Sequence, residues 1–123
     1  MISSGIQKIL LLDDDKIQRI LVEKRLLKID PGIEFVYFDT PGKALNYLET
    51  ESVDLLLIDL NLPEMSGWEF VDEAEKLSPN SRMILQSGSV EREEMERAGS
   101  DKRISKILEK PLSESDWRTI LGL

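Results

Sequence analysis

Short apolar runs along this chain alternate with stretches in which apolar residues recur every three or four positions. The runs at residues 9–12 and 55–58 consist entirely of Leu and Ile, which is typical of strands buried on both faces of a parallel sheet. The run at residues 33–38 alternates more, so we expect it to be less buried and to lie at a sheet edge. We predict five strands, at residues 6–12, 33–38, 53–59, 83–85 and 104–108.

The first intervening stretch predicts a helix with a core-facing apolar stripe and a charged face toward water. The apolar stripe consists of Ile17, Ile20, Leu21 and Leu27, and the charged face of Glu23, Lys24, Arg25 and Lys28. We expect Asp15 to lie at the N-terminus of this helix, where the helix dipole favours a carboxylate.

Four more helices are predicted farther along the chain. Thr40 and Pro41 suit the N-cap and first position of the second helix. Ser66 and Glu69 have the spacing of a capping box at the start of the third. The fourth and fifth are predicted near residues 91–98 and 113–121. We interpret Trp68 and Trp117 as helix-packing residues.

Strand and helix thus alternate five times, which predicts right-handed crossovers and a parallel sheet covered by helices on both faces. The sequence contains no internal repeat, low-complexity segment or interdomain linker. We therefore predict one α/β domain over residues 1–123. Whether it acts alone or forms part of a longer protein is left open.

Composition excludes several classes of function. The net charge of −8, from 24 acidic and 16 basic residues, disfavours direct nucleic-acid binding and docking to anionic membranes. The absence of cysteine excludes disulfides, thiolate zinc sites and cysteine nucleophiles. The absence of histidine means that any imidazole base or phosphohistidine must come from a partner. The apolar runs are too short for a membrane span or signal peptide, so we predict a cytoplasmic domain.

Polar residues stand at the ends of four predicted strands. Asp13 and Asp14 follow the first, Asp59 ends the third, Ser87 follows the fourth and Lys110 the fifth. Because the carboxyl ends of parallel strands share one edge, we expect these side chains to converge. Clustered carboxylates repel one another, and Mg²⁺ relieves that repulsion. Lysine and serine suit a phosphoryl group, and one carboxylate can form an aspartyl phosphate.

These residues and their neighbours resemble the receiver domain of two-component response regulators. The matching pieces are LLDDD at residues 11–15, IDLNLPEMSG at 58–67, LQSG at 85–88 and EKP at 109–111. They occur in the family's order and at close to its spacing, over essentially the whole chain. The resemblance implies a flavodoxin-like three-layer α/β/α sandwich, with a five-stranded parallel sheet in order 2-1-3-4-5 and five helices.

The resemblance also implies a metal set and a phosphoacceptor. Asp59 matches the phosphoacceptor, Asp14 a direct ligand of Mg²⁺, and Asp13 a ligand that usually acts through water. Asn61 matches the position that offers its backbone carbonyl to the metal. Asp59 itself would complete the set.

Two further residues are implied to contact the phosphoryl group. Ser87 matches a hydroxyl that moves to meet it, and Lys110 a lysine that pairs with it and precedes an often cis peptide bond to Pro111. The chain departs from the family pattern at Ile107, where a Tyr or Phe commonly turns inward on activation. The usual coupling between the serine and an aromatic ring therefore cannot operate here in its ordinary form.

Our prediction is a phosphoaccepting receiver domain and not an enzyme in its own right. A partner histidine kinase or histidine phosphotransfer protein would supply the phosphoryl group. Phosphorylation would shift an existing equilibrium between two surface states and so change the binding of a downstream protein. Dimerisation on phosphorylation is left open.

Two alternatives stay open at this point. A receiver-like interaction module without phosphoryl switching is favoured by Ile107, and loss of Mg²⁺ binding with an intact fold would support it. A Mg²⁺-dependent phosphohydrolase with an aspartyl nucleophile is suggested by Asp59. Such enzymes usually carry a second carboxylate two residues on, where this chain has Asn61, and a cap that 123 residues do not provide.

Overall fold

Five strands and five helices alternate in the computed structural model, which describes residues 5–123. The strands are β1 (Lys8–Leu12), β2 (Glu34–Phe38), β3 (Leu55–Asp59), β4 (Arg82–Ser87) and β5 (Ile104–Glu109). The helices are α1 (Lys16–Ile29), α2 (Pro41–Leu48), α3 (Gly67–Leu77), α4 (Arg92–Ser100) and α5 (Glu114–Leu121). The predicted order of elements is confirmed. Residues 1–4 of the predicted domain lie outside the described residues.

All five strands are parallel and lie in the order β2-β1-β3-β4-β5, as predicted. Leu12 pairs with Ile58, Ile58 with Leu85, and Ser87 with Glu109. This register ends β1, β3, β4 and β5 at one edge of the sheet. The residues that follow these strands are therefore brought to the same end of the molecule.

Two apolar cores fill the space between the sheet and its helices. Alternate residues of β3 serve the two cores: Leu55 and Leu57 face α1 and α5, whereas Leu56 and Ile58 face α2, α3 and α4. Trp68 and Trp117 are buried in these cores, as predicted. The edge strand β2 is only partly buried, also as predicted.

The predicted core face of α1 is wrong. Ile17, Ile20, Leu21 and Leu27 are between 45% and 65% exposed, whereas Val22 and Leu26 are buried. At 100° per residue the two apolar sets lie on opposite sides of the helix, so periodicity alone could not choose between them. We call the exposed set, Ile17, Ile20, Leu21 and Leu27, the outer α1 stripe.

Helix N-termini follow the sequence predictions closely. Asp15 caps α1 by accepting a hydrogen bond from the Ile17 N–H at 2.9 Å. Thr40 caps α2 with Pro41 as its first residue, and Ser66 forms a capping box with Glu69 at α3. Over the described part of the chain, no helix has both the length and the apolarity needed to cross a membrane.

Candidate functional site

Three carboxylates meet at the carboxyl edge of the sheet. Asp13 and Asp14 follow β1, Asp59 ends β3, and one oxygen from each lies within 4.8 Å of the others. Asp13 is fully buried and Asp59 is 4% exposed, while Asp14 is exposed to solvent. The structure therefore brings these predicted residues together, with an oxygen-rich side open to water.

Lys110 bridges the two buried carboxylates. Its Nζ donates to Asp13 Oδ2 at 3.1 Å and to Asp59 Oδ2 at 3.2 Å. Burial lowers the pKa of Lys110, but the hydrogen bond and charge of Asp13 and the charge of Asp59 outweigh it, so the pKa lies above its usual value. The ammonium group is thus held charged between two anions.

Asp13 is held by three donors. Its Oδ1 accepts from the Asp15 N–H at 2.9 Å, and its Oδ2 accepts from Gln86 Nε2 at 3.2 Å as well as from Lys110. Burial raises the pKa of Asp13 to about 6, with a further contribution from the Asp59 charge that Asp15 and Lys110 partly offset. A cation that takes the place of the proton would therefore stabilise the ionised form of this buried carboxylate.

The loop after Asp59 is fixed by its backbone. The Asn61 N–H donates to Asp59 Oδ1 at 3.1 Å, and Asn61 forms an isolated antiparallel bridge with Ser66. A Cβ atom added at Gly67 would lie 2.7 Å from the Asp59 carbonyl oxygen and 2.9 Å from the Leu60 Cα. Glycine is therefore required for α3 to begin this close to the end of β3. The role of the Asn61 carbonyl as a metal ligand stays a prediction.

Ser87 lies at the same edge, but its hydroxyl is bound within its own turn. Ser87 Oγ donates to the Ser89 carbonyl at 3.0 Å and accepts from the Ser89 N–H at 3.3 Å. Its predicted contact with a phosphoryl group thus stays a prediction that needs a rotation of the side chain. Ile107 pairs with Leu85 and packs against the core beneath α3 and α4. The Lys110–Pro111 peptide bond is cis.

Gln86 is the site residue that the sequence predictions missed. It lies in β4 directly before Ser87, is fully buried, and its amide reaches Asp13. The available signal was a polar residue at the end of the apolar run Met83–Leu85, one position before a predicted site residue.

Comparison with known proteins gives a consistent result. A family model for the response regulator receiver domain matches residues 9–121. The response regulator receiver protein CpdR of Brucella abortus is 33% identical over 82 residues, which are 67% of each chain. The autoinducer 1 sensor kinase/phosphatase LuxN of Vibrio harveyi is 28% identical over 114 residues, so 93% of this chain matches 13% of LuxN.

A solved structure shows the same fold. A CheY-like response regulator receiver domain protein from Methanospirillum hungatei superimposes with a TM-score of 0.81 at 26% identity. The superposition covers 96% of this chain and 92% of that one. Together with the family match over nearly the whole described chain, this shows that the chain belongs to the response regulator receiver domain family of two-component systems.

Proposed function

We propose that this domain accepts a phosphoryl group on Asp59 from a phosphohistidine carried by a partner protein. The observation that carries the proposal is the Lys110 ammonium group shared between two buried carboxylates at the sheet edge. Membership of the receiver family supports a phosphoacceptor role in general. The 123 residues contain no histidine, so the phosphohistidine must lie outside them.

Asp59 is the carboxylate best suited to act as the nucleophile. Asp13 is fully buried, and three donors occupy its two oxygens. Asp14 is exposed. Asp59 combines orientation, by Asn61 and Lys110, with slight exposure at the site. In the proposed reaction an Asp59 oxygen bonds to phosphorus, the nitrogen–phosphorus bond breaks, and the released imidazole of the donor takes a proton.

The donor set fits Mg²⁺, a hard cation that takes oxygen ligands and usually keeps several waters. Asp13, Asp14 and Asp59 supply carboxylate oxygens within 4.8 Å of one another, and the Asn61 carbonyl would join them. When bound, Mg²⁺ would neutralise negative charge on the carboxylates and on the phosphoryl oxygens. The chain's own contribution is to hold these oxygens at the end of a rigid sheet.

Lys110 and Ser87 would respond to the new charge on Asp59. The Lys110 ammonium group already contacts Asp59 Oδ2, so a small movement would bring it to a phosphoryl oxygen. Ser87 would have to exchange its two hydrogen bonds with Ser89 for one with the phosphoryl group. Because that turn precedes α4, the exchange offers a route from the site to the surface without an aromatic residue at position 107.

The outer α1 stripe supports docking of a phosphohistidine-bearing protein beside the site. α1 begins two residues after Asp14 and carries five basic residues and one acidic residue, although the whole chain has a net charge of −8. A partner with an apolar and acidic surface would complement both features. A histidine kinase or histidine phosphotransfer protein with such a surface is the partner we propose.

Labelling with a small phosphodonor tests this function without the partner. We expect one phosphoryl adduct per chain by intact mass, dependent on Mg²⁺, and none in Asp59→Asn. Asp54→Asn changes an exposed carboxylate just before the first residue of β3, at the opposite end of the strand from Asp59, and is a control outside the cluster that should label normally. No adduct on a folded, Mg²⁺-binding protein would favour the interaction module instead. Steady turnover of p-nitrophenyl phosphate would favour the phosphohydrolase, against which the Asn61 position argues.

A further inference from the structure

The Gln86 amide is an unusual feature of the sheet interior. Gln86 is fully buried in β4, and its backbone pairs with Asp59 on one side and Leu108 on the other. The three residues before it, Met83–Leu85, are all apolar and buried. Fully buried glutamine is uncommon, because its amide has both donors and an acceptor that need partners.

Only half of this amide has a partner in the described protein. Nε2 donates to Asp13 Oδ2 at 3.2 Å, and only the amino end of an amide can donate to a carboxylate, which fixes its orientation. Oε1 is buried and, within residues 5–123, has no hydrogen-bond partner. An orphaned buried carbonyl is unfavourable. An apolar side chain would avoid that penalty, so the amide calls for a functional explanation.

The contacts of Asp13 suggest what the amide does. Asp13 Oδ2 receives hydrogen bonds from Lys110 at 3.1 Å and from Gln86. If Lys110 moves toward a phosphoryl group on Asp59, as the proposed function requires, Gln86 becomes the remaining side-chain donor to that oxygen.

We propose that Gln86 is a positioning residue for the cation site: its Nε2 holds the Asp13 carboxylate in the orientation in which that carboxylate would serve Mg²⁺. This inference rests on the proposed function for the identity of the cation. It assigns Gln86 an outer role, because the amide acts through Asp13 and not by direct contact with the phosphoryl group. Outer partners of this kind orient metal ligands and affect metal affinity strongly.

Two measurements on the full chain test the inference. Calorimetric titration with Mg²⁺ compares the wild-type protein with Gln86→Met, which keeps the length of the side chain but removes both polar groups. Leu85→Met, at the neighbouring core position, is the matched packing control. We expect Gln86→Met to raise the Kd for Mg²⁺ about tenfold and Leu85→Met to leave it within about twofold. If Gln86→Met does not fold in EDTA, Gln86→Leu replaces it.

The second measurement observes the amide itself. The Gln86 side-chain NH₂ signals in a ¹⁵N NMR spectrum are assigned as those lost in Gln86→Met, and we expect them to shift when Mg²⁺ is added. A purely structural glutamine would leave the Kd for Mg²⁺ unchanged when it is replaced. Unchanged Kd in Gln86→Met, an NH₂ signal that Mg²⁺ does not move, or a wild-type protein that binds no Mg²⁺ would each overturn the inference.

Parallel phosphodonor labelling of the wild-type protein separates this inference from the proposed function. Mg²⁺ binding that depends on Gln86, in a protein that takes no phosphoryl group, would support the positioning role and contradict the phosphoacceptor role. Normal labelling of Asp59 with Mg²⁺ binding that is insensitive to Gln86 would do the reverse.

Discussion

The Asp13→Asn substitution should stabilise the metal-free protein near neutral pH, although it removes a residue of the proposed cation site. Asp13 is fully buried, and its pKa rises from 3.8 to about 6 on folding. Between these values the unfolded chain loses its proton before the folded chain does. The wild-type protein therefore loses stability as pH rises from about 4 to about 6, and the loss is complete above the folded pKa.

The size of this effect follows from the shift in pKa. At about 1.4 kcal/mol per unit, the rise from 3.8 to about 6 corresponds to about 3 kcal/mol of stability lost by pH 7. Asparagine avoids this loss, but it has only one carbonyl oxygen: with that oxygen toward Gln86 and Lys110, its amino group faces the Asp15 N–H. We therefore expect a net gain of about 1–2 kcal/mol in the free energy of unfolding at pH 7.

Urea unfolding in EDTA, followed by the fluorescence of the buried Trp68 and Trp117, measures this gain. The difference between Asp13→Asn and wild type should grow by about 2–3 kcal/mol between pH 4 and pH 7. Asp14→Asn is the matched control, because its exposed side chain should change stability by about 0.5 kcal/mol or less.

A difference between Asp13→Asn and wild type that stays flat from pH 4 to pH 7 would refute this reasoning. So would an Asp13→Asn protein that is as much less stable than wild type at pH 7 as it is at pH 4. Added Mg²⁺ gives a second check, because it should stabilise wild type by mass action and stabilise Asp13→Asn much less.

Three further substitutions test separate parts of the site. Lys110→Met should abolish phosphodonor labelling and lower the free energy of unfolding by about 3 kcal/mol in EDTA. The loss of stability follows because the Asp13 and Asp59 carboxylates stay buried without the ammonium group between them. Labelling at the wild-type rate would contradict the role of Lys110. Gly67→Ala should lower the free energy of unfolding by about 1–3 kcal/mol, because its Cβ would lie 2.7 Å from the Asp59 carbonyl oxygen. An unchanged midpoint of urea unfolding would contradict this and show that α3 can shift. Ile20→Glu changes a half-exposed position of the outer α1 stripe and should leave the melting temperature and labelling by a small phosphodonor unchanged. It should slow phosphoryl transfer from a phosphorylated histidine phosphotransfer protein. Equal transfer rates for Ile20→Glu and wild type would place the docking surface elsewhere.

The sequence was enough to predict the convergence of Asp13, Asp14, Asp59 and Lys110. Parallel strands must end at one edge, so residues after strands that are far apart in sequence become neighbours whatever the details of packing. Capping residues were equally predictable, because Asp15 and other caps act within a few residues of their own helix. These features depend on topology or on local chemistry.

Features that depend on rotation and side-chain direction were not predictable. The core face of α1 could not be chosen, because Val22 and Leu26 lie opposite an equally apolar stripe and the short connection from β1 sets the rotation of the helix. The contact between Gln86 and Asp13 joins residues 73 positions apart, and no local pattern encodes it. The orientation of the Ser87 hydroxyl depends on a turn whose hydrogen bonds only the structure shows.

Chemical trapping of the phosphorylated residue tests the central claim most directly. Borohydride reduces an aspartyl phosphate to homoserine, and peptide mass spectrometry then locates the converted residue after incubation with a small phosphodonor and Mg²⁺. We predict homoserine at position 59, and none there in samples treated without the phosphodonor or without Mg²⁺. Conversion at position 13 or 14 instead, or an unmodified residue 59 in a folded protein that binds Mg²⁺, would contradict the assignment of Asp59 as the phosphoacceptor.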